Sequence, residues 1–255
     1  MVRTMPLPAL SVNINKYALL RNSRGHDAPN LLHAAAMCIE AGAQGITVHP
    51  RRDQRHVRYD DLAPLGAWLT KHHPEIEWNI ECEDHPEIVE QVLALRPHQC
   101  TLVPVTPGEV TSDHGYRFPD DIKPLTPTLT RLRNAGIRTS LFVDPDPANL
   151  RRAAGLPTDR VEIYTGPYAW AFGTPAGRGA LDAVVATAAV AAELGWGVNA
   201  GHDLDRHNLP PLVSAARIAE VSIGHAQICR ALEVGTHQSV RELLTALGHP
   251  APELS

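Results

Sequence analysis

A short apolar run followed by a longer segment of helical period recurs eight times along this chain, with no composition break between one unit and the next. Such alternation is the signature of βαβ units carried on a parallel sheet. The predicted strands are Ala9 to Asn13, Gly45 to Val48, Glu77 to Glu81, Gln99 to Val103, Arg138 to Val143, Arg160 to Tyr164, Gly197 to Asn199 and Ile218 to Ile223. Helices are predicted from Pro29 until Gly42, over Asp60 to Lys71, Pro86 to Leu95, Pro119 to Ala135 and Ala176 to Leu194, and from Ala226 onward, with a short one after Asp144-Pro-Asp146-Pro. The stretch after Asn13-Ile-Asn15-Lys16, through Arg24-Gly25, reads as a polar loop. Eight units in 255 residues fit one closed (β/α)8 TIM barrel, which takes about 250 residues. The expected fold class is therefore α/β, with residues 1–255 as one barrel domain. A doubly wound open sheet is the rival, but it calls for a G-x-G-x-x-G turn after the first strand, and Asn13 to Asn22 contains no glycine.

The formal net charge of -5 marks no surface-wide site for nucleic acid or an anionic membrane. Any anion must be held locally. Cys38, Cys82, Cys100 and Cys229 form no C-x-x-C pair, so neither a zinc ribbon nor a disulfide framework is indicated, and reduced thiols are expected. Met1 to Ser11 has no long apolar core, and no run approaches the roughly 18 apolar residues of a membrane span. The expectation is a soluble, cytoplasmic protein.

Chemistry concentrates where strands end. Ile46-Thr-Val-His49-Pro-Arg51-Arg52-Asp53-Gln54-Arg55-His56 switches from a buried strand to imidazole and guanidinium within a few residues, which suits an anion site. A solvated charged loop is the plain alternative for this run alone. The pattern repeats, however, with Asn13, His49, Arg51, Glu81, Thr111, Glu162, His202 and His225 near strand ends, and a barrel gathers such groups on one face. Gly201-His202 and Gly224-His225 follow strands seven and eight, where barrels commonly bind phosphate. Arg24 and Arg51 could clamp a second phosphate bidentately. Glu81, His49 and His202 are suited to moving protons near neutral pH. Only three lysines occur, and Lys71 and Lys123 fall in helical segments, which leaves Lys16 and argues against imine catalysis by the protein. Strand one offers Asn13-Ile-Asn15 in place of the H-x-H of many barrel metallohydrolases, so no metal site is expected. The loop holding Thr106, Thr111, Asp113 and Gly115 has the length of a lid, and a plain surface excursion fits it equally.

The blocks V-N-I-N, L-R-N-S-R-G, G-A-Q-G-I-T-V-H-P-R, N-I-E, T-L-V-P, E-V-T-S, S-L-F-V-D, V-E-I-Y-T, V-N-A-G-H-D-L and S-I-G-H-A, in register from about Leu10 to Val234, resemble the pyridoxine 5′-phosphate synthase family of the deoxyxylulose-dependent vitamin B6 pathway. The resemblance implies a TIM barrel with a few extra helices. The implied reaction is a condensation of 3-amino-2-oxopropyl phosphate with 1-deoxy-D-xylulose 5-phosphate that closes the pyridine ring and releases phosphate and water. It implies no metal or organic cofactor, a substrate amine that forms the imine, and a homo-oligomer, an octamer in the family. By the same resemblance His49 and Glu81 match general bases, His202 the general acid, and Glu162 a carboxylate assisting the transition state. Asn13, Arg24, Asp203, Gly224 and His225 match positions around the aminoketone phosphate; Asn15, Lys16, Arg51, His56 and Thr111 match those around the deoxyxylulose phosphate. The chain departs from the commonest pattern at Asn15-Lys16, where many members carry Asp-His, at Asp203, where many carry glycine, and at Val105-Thr106, where a charged pair is usual. Two other readings fit the residues: a phosphosugar isomerase or aldolase on the same barrel, and a non-catalytic binder of a phosphorylated metabolite.

Overall fold

The computed structural model describes residues 6–250 except 107 and 110. Part of the amino-terminal segment discussed above, and Val110 of the E-V-T-S block, therefore lie outside the described residues. Eight parallel strands close into a barrel in the order β1 to β8, each paired with its sequence neighbours and β8 with β1. They are β1 (Ala9–Asn13), β2 (Gly45–Val48), β3 (Glu77–Cys82), β4 (Gln99–Leu102), β5 (Arg138–Val143), β6 (Arg160–Tyr164), β7 (Gly197–Gly201) and β8 (Glu220–Ile223). The helices are α1 (Asn15–Asn22), α2 (Leu31–Glu40), α3 (Tyr59–His72), α4 (Pro86–Leu95), α5 (Ile122–Asn134), α6 (Pro147–Arg151), α7 (Gly166–Ala171), α8 (Gly177–Glu193), α9 (Leu209–Ala215), α10 (His225–Val234) and α11 (Thr236–Ala246). The extra helices follow β1, β6 and β8, which carry two helices each.

The strands alternate in an unusual sense. Leu10, Val12, Ile46, Val48, Ile80, Leu102, Leu141, Val161, Ile163 and Val221 are fully or almost fully buried against the helices, and they form one core with the helices' apolar faces. The residues between them face inward and are largely polar. At the bottom of the barrel Arg160 donates to Asn199 Oδ1 (3.0 Å) and Glu220 Oε2 (3.2 Å), Arg138 donates to Gln99 Oε1 (2.9 Å), and Asn199 reaches across from β7 to Gln99 on β4 (3.4 Å). Above it Ser11, Thr47, Asn79 and Thr101 form a hydrogen-bonded layer. Buried polar groups cost least where they find partners, and these hydrogen-bonded layers form a polar floor under the carboxyl ends of the strands.

Several local differences from the sequence reading have clear causes. The segment expected to be a polar loop after Asn15 is instead the helix α1, because Tyr17 and Ala18 are buried and Arg21 makes a two-pronged bond to Asp61 (2.7 and 2.8 Å). The next helix starts at Leu31 and not at Pro29, because Asn30 is its cap and accepts from the His33 N–H (2.9 Å). β7 runs on to Gly201, while β8 starts at Glu220. The segments α7 and α9 were not expected to be helical. The short helix after Asp144-Pro-Asp146-Pro is present as α6, with Asp146 capping Ala148 and Asn149 and Pro147 in the first turn.

Gly66 on α3 is packed so tightly against β3 that a Cβ there would enter the Trp78 indole. Alanine ordinarily favours a helix interior by about 1 kcal/mol over glycine. Here the overlap dominates, and Gly66→Ala is expected to lower stability by about 1–3 kcal/mol in urea unfolding.

Candidate active site

The carboxyl ends of the strands open into a cavity of about 470 Å³. Every catalytic or substrate-binding residue implied by the family resemblance lines it except Arg24, which is exposed beyond the end of α1 and does not reach it. Asn13, Asn15, Lys16, His49, Arg51, His56, Glu81, Thr111, Glu162, His202, Asp203, Gly224 and His225 are all brought together.

Glu81 lies at the centre, on the inward face of β3. Its Oε2 accepts from Asn13 Nδ2 and its Oε1 from Ser222 Oγ, both at 3.4 Å. Burial pushes its carboxyl up to about 7, against the opposing pull of His202 and those two hydrogen bonds. His49 Nδ1 stands 3.5 Å from Glu81 Oε2. Burial, with His56, Arg51 and Arg55 nearby, holds His49 well below the usual imidazole range, so the two meet as a neutral ring and a carboxyl poised near neutrality. The His49 backbone N–H donates to Asn15 Oδ1 (2.8 Å), and His49 Nε2 has no hydrogen-bond partner among the described residues. A buried ring nitrogen without a partner beside a proton acceptor is suited to meeting a substrate proton.

Glu162 on β6 is 4 % exposed, and its Oε2 has no hydrogen-bond partner among the described residues. Burial first, then Glu81 and Glu220, raise its carboxyl well above the usual range, so it stands as a neutral acid able to donate a hydrogen bond. Glycine at 201 leaves the room it needs, since a Cβ there would overlap the Glu162 carboxyl. His202 follows with Nε2 2.9 Å from Thr111 Oγ1 and Nδ1 3.3 Å from Asp203 Oδ2. Gly224 caps α10 at the mouth, where a Cβ would crowd the Asn13 carbonyl, and His225 begins that helix.

The basic wall lies after β2. Arg51 is 5 % exposed, and its Nη2 donates to Glu109 Oε1 (2.8 Å) on the loop that follows β4. Thr106 N–H donates to the other Glu109 oxygen (3.1 Å), and Arg55 Nη1 to the Glu109 carbonyl (3.0 Å). A carboxylate thus sits on the guanidinium expected to clamp an anion. His56 is pushed down to about 4 by burial and by Arg51, Lys16 and Arg55. Glu109 also lies with Asp113 and His114 in a group whose ligand-type atoms fall within 4.8 Å of one another. Its carboxylate is already engaged by Arg51 and by the loop backbone.

Four contributors were not singled out. Arg55 lies one helical turn of sequence beyond Arg51 in the same basic run, a signal that was available. Ser222 could have been found from its inward register on β8. Ser112, buried in the cavity wall with a hydroxyl that has no hydrogen-bond partner among the described residues, and Glu109 come from the loop after β4, whose course depends on tertiary contacts. Gly115 anchors that loop, where its N–H donates to Asp144 Oδ1 (2.9 Å) and a Cβ would run into the β5 backbone.

A closed (β/α)8 barrel that gathers three carboxyls, several imidazoles and a guanidinium wall around one cavity defines a barrel enzyme built for acid–base chemistry on anionic substrates. The comparisons with known proteins make the class specific. Residues 10–249 match the family model described as pyridoxal phosphate biosynthesis protein PdxJ, and the chain belongs to that family. It is 46% identical over 244 residues to a pyridoxine 5′-phosphate synthase of Albidiferax ferrireducens, covering 93% of this chain and 96% of that one. It is 47% identical over 250 residues to one of Xanthomonas axonopodis pv. citri, covering 94% and 97%. Among solved structures, a tryptophan synthase alpha-subunit from Pyrococcus furiosus matches 95% of this chain and 98% of its own with a TM-score of 0.64 at 14% identity. A phosphoribosyl anthranilate isomerase from Thermus thermophilus matches 94% and 98% with a TM-score of 0.56 at 13% identity. At such identities these two matches speak for the barrel fold alone.

Proposed function

We propose that this chain is a pyridoxine 5′-phosphate synthase that condenses 3-amino-2-oxopropyl phosphate with 1-deoxy-D-xylulose 5-phosphate, closing the pyridine ring and releasing phosphate and water. Family membership across residues 10–249 supports the activity. The observation that carries the chemistry is the contact of neutral His49 with Glu81, a carboxyl poised near 7, inside a cavity that also holds His202.

In this reading the substrate amine forms the imine with the sugar carbonyl, so the protein need supply only proton transfers. Glu81 and His49 take protons from the carbon and oxygen centres of the condensing substrates, and His202 returns one to a departing oxygen. Glu162, neutral and buried, donates a hydrogen bond to charge developing on the substrate. Arg51, His56, Lys16, Asn15 and Thr111 hold the deoxyxylulose phosphate, with the Arg51 guanidinium exchanging Glu109 for the phosphate. Asn13, Gly224 and His225 surround the aminoketone phosphate at the ends of β1 and β8, and Asp203 is assigned there by family resemblance only. Arg24 is assigned to the aminoketone phosphate by family resemblance only, since in this chain it stands outside the cavity. The residues call for no metal or organic cofactor in these steps. We place the enzyme in the cytoplasm as a homo-oligomer, an octamer by family resemblance, with residues 1–255 forming one barrel domain. No described helix is long and apolar enough to cross a membrane.

Substrate omission separates this reading from an isomerase or aldolase on the same barrel. With 1-deoxy-D-xylulose 5-phosphate alone, the carbon NMR spectrum is expected to stay unchanged over many hours. Conversion of the sugar phosphate without the aminoketone would contradict the two-substrate reading.

A further inference from the structure

The turn that ends β7 runs against backbone preference. His202 and Asp203 both take positive φ, 86° and 58°, in the region where glycine is the usual occupant. Neighbouring groups hold the turn there. The Thr165 hydroxyl donates to the carbonyls of Gly201 (2.6 Å) and His202 (2.7 Å), and the Asn208 amide donates to that of Asp203 (3.1 Å). Strained backbone that its surroundings hold in place is a feature of functional sites.

The braced turn fixes both nitrogens of His202. Nδ1 faces the Asp203 carboxylate at 3.3 Å, and Nε2 faces Thr111 Oγ1 at 2.9 Å on the cavity wall. The Tyr164 ring meets the imidazole edge-on at 5.1 Å and limits its rotation. The hydrogen bond with His202 holds Asp203 below the usual carboxylate range, and the Trp170 indole adds to the effect. A carboxylate carries the wrong charge to hold a phosphate. A carboxylate on one ring nitrogen, by contrast, selects the tautomer protonated there and leaves proton exchange to the other.

We infer that Asp203 is a positioning residue for His202: its carboxylate keeps the proton on Nδ1 and turns Nε2 toward the reacting substrates, and it does not itself bind the aminoketone phosphate. The inference rests on His202 being the general acid. It extends that role to a residue where many family members carry glycine.

The test compares wild type, Asp203→Asn and Asp203→Gly by nitrogen-15 NMR of labelled histidine in the free enzyme, with His202 assigned through His202→Gln, and by steady-state kinetics with both substrates. Glycine accepts a φ of 58° without strain, so a folding defect does not explain a loss in that variant, and urea unfolding checks it. In the wild type the neutral His202 ring is expected to be protonated at Nδ1, and in both variants that signature is lost. The variants are expected to lose about 10- to 100-fold in kcat, with KM for each substrate changed by less than about threefold. A wild-type ring protonated at Nε2 would overturn the inference. So would variants that raise KM for the aminoketone phosphate while keeping kcat, because Asp203 would then touch substrate. Absence of product from the wild type would sink the proposed reaction, while the tautomer measurement would still decide the Asp203 contact.

Discussion

Glu81→Gln is expected to lower kcat by about 10²- to 10⁴-fold and, in the same molecule, to stabilise the fold above neutral pH. The first effect follows from its place in the cavity beside His49, where burial holds its carboxyl at about 7 and suits it to the proposed role of base. The second follows from linkage. Burial raises the folded-state carboxyl from 4.5 to about 7, so the folded protein retains a proton that the unfolded chain gives up across that interval. The stabilising contribution of the protonated acid is complete below 4.5 and is lost as pH rises through about 7. At about 1.4 kcal/mol per unit of pKa, the wild type carries a penalty of at most about 3.5 kcal/mol at pH 8. Glutamine keeps the shape and carries no such charge. Urea unfolding is therefore expected to find Glu81→Gln more stable than wild type at pH 8 and equal to it near pH 4.5. Because the base must be ionised, wild-type kcat is expected to rise with pH through about 7, and the variant's residual rate should lack that rise. Equal stability at both pH values would show that Glu81 is not held neutral by burial.

Arg51→Ala is expected to raise KM for 1-deoxy-D-xylulose 5-phosphate on the order of 10²- to 10³-fold, since removing one partner of a buried charge pair costs about 2–5 kcal/mol. Two effects combine. The guanidinium that would clamp the phosphate is gone, and the Glu109 carboxylate, 8 % exposed in its side chain and 2.8 Å from Arg51, is left without that partner beside the incoming phosphate. Lysine at 51 should recover little, because a point charge does not reproduce the two-pronged fork. Glu109→Gln should move KM in the opposite direction by removing the carboxylate that competes for Arg51. Steady-state kinetics with the sugar phosphate varied at saturating aminoketone phosphate checks all three. Equal KM increases for both substrates in Arg51→Ala would place Arg51 elsewhere in the mechanism.

The barrel was legible because its outward-facing strand positions are almost all branched or apolar, so β1, β2, β5 and β6 stand out with their observed limits. The site was legible for a related reason. A closed parallel barrel brings strand ends together, so His49, Glu81, Glu162, His202 and His225 needed only correct strand assignments to be grouped. What local sequence did not show depends on distant contacts. α1 reads as polar because its buried arginine is satisfied by Asp61, 40 positions away. α7 begins Gly166-Pro167 and α9 contains Pro210-Pro211, which read as turns although proline is tolerated in a helix's first turn. Ser112 enters the cavity, and Glu109 reaches Arg51, only because their loop folds back over β2 and β5. The Asp203 carboxylate reads from sequence as a phosphate neighbour, and only its φ and its contact with His202 show which way it faces.

The most direct test of the central claim mixes purified enzyme with both substrates and follows ring formation by ultraviolet absorbance alongside release of inorganic phosphate. Pyridoxine 5′-phosphate and one phosphate per ring closed are expected, with neither formed when either substrate is omitted. Enzyme that binds both phosphates in the cavity and yields no pyridine product would contradict it.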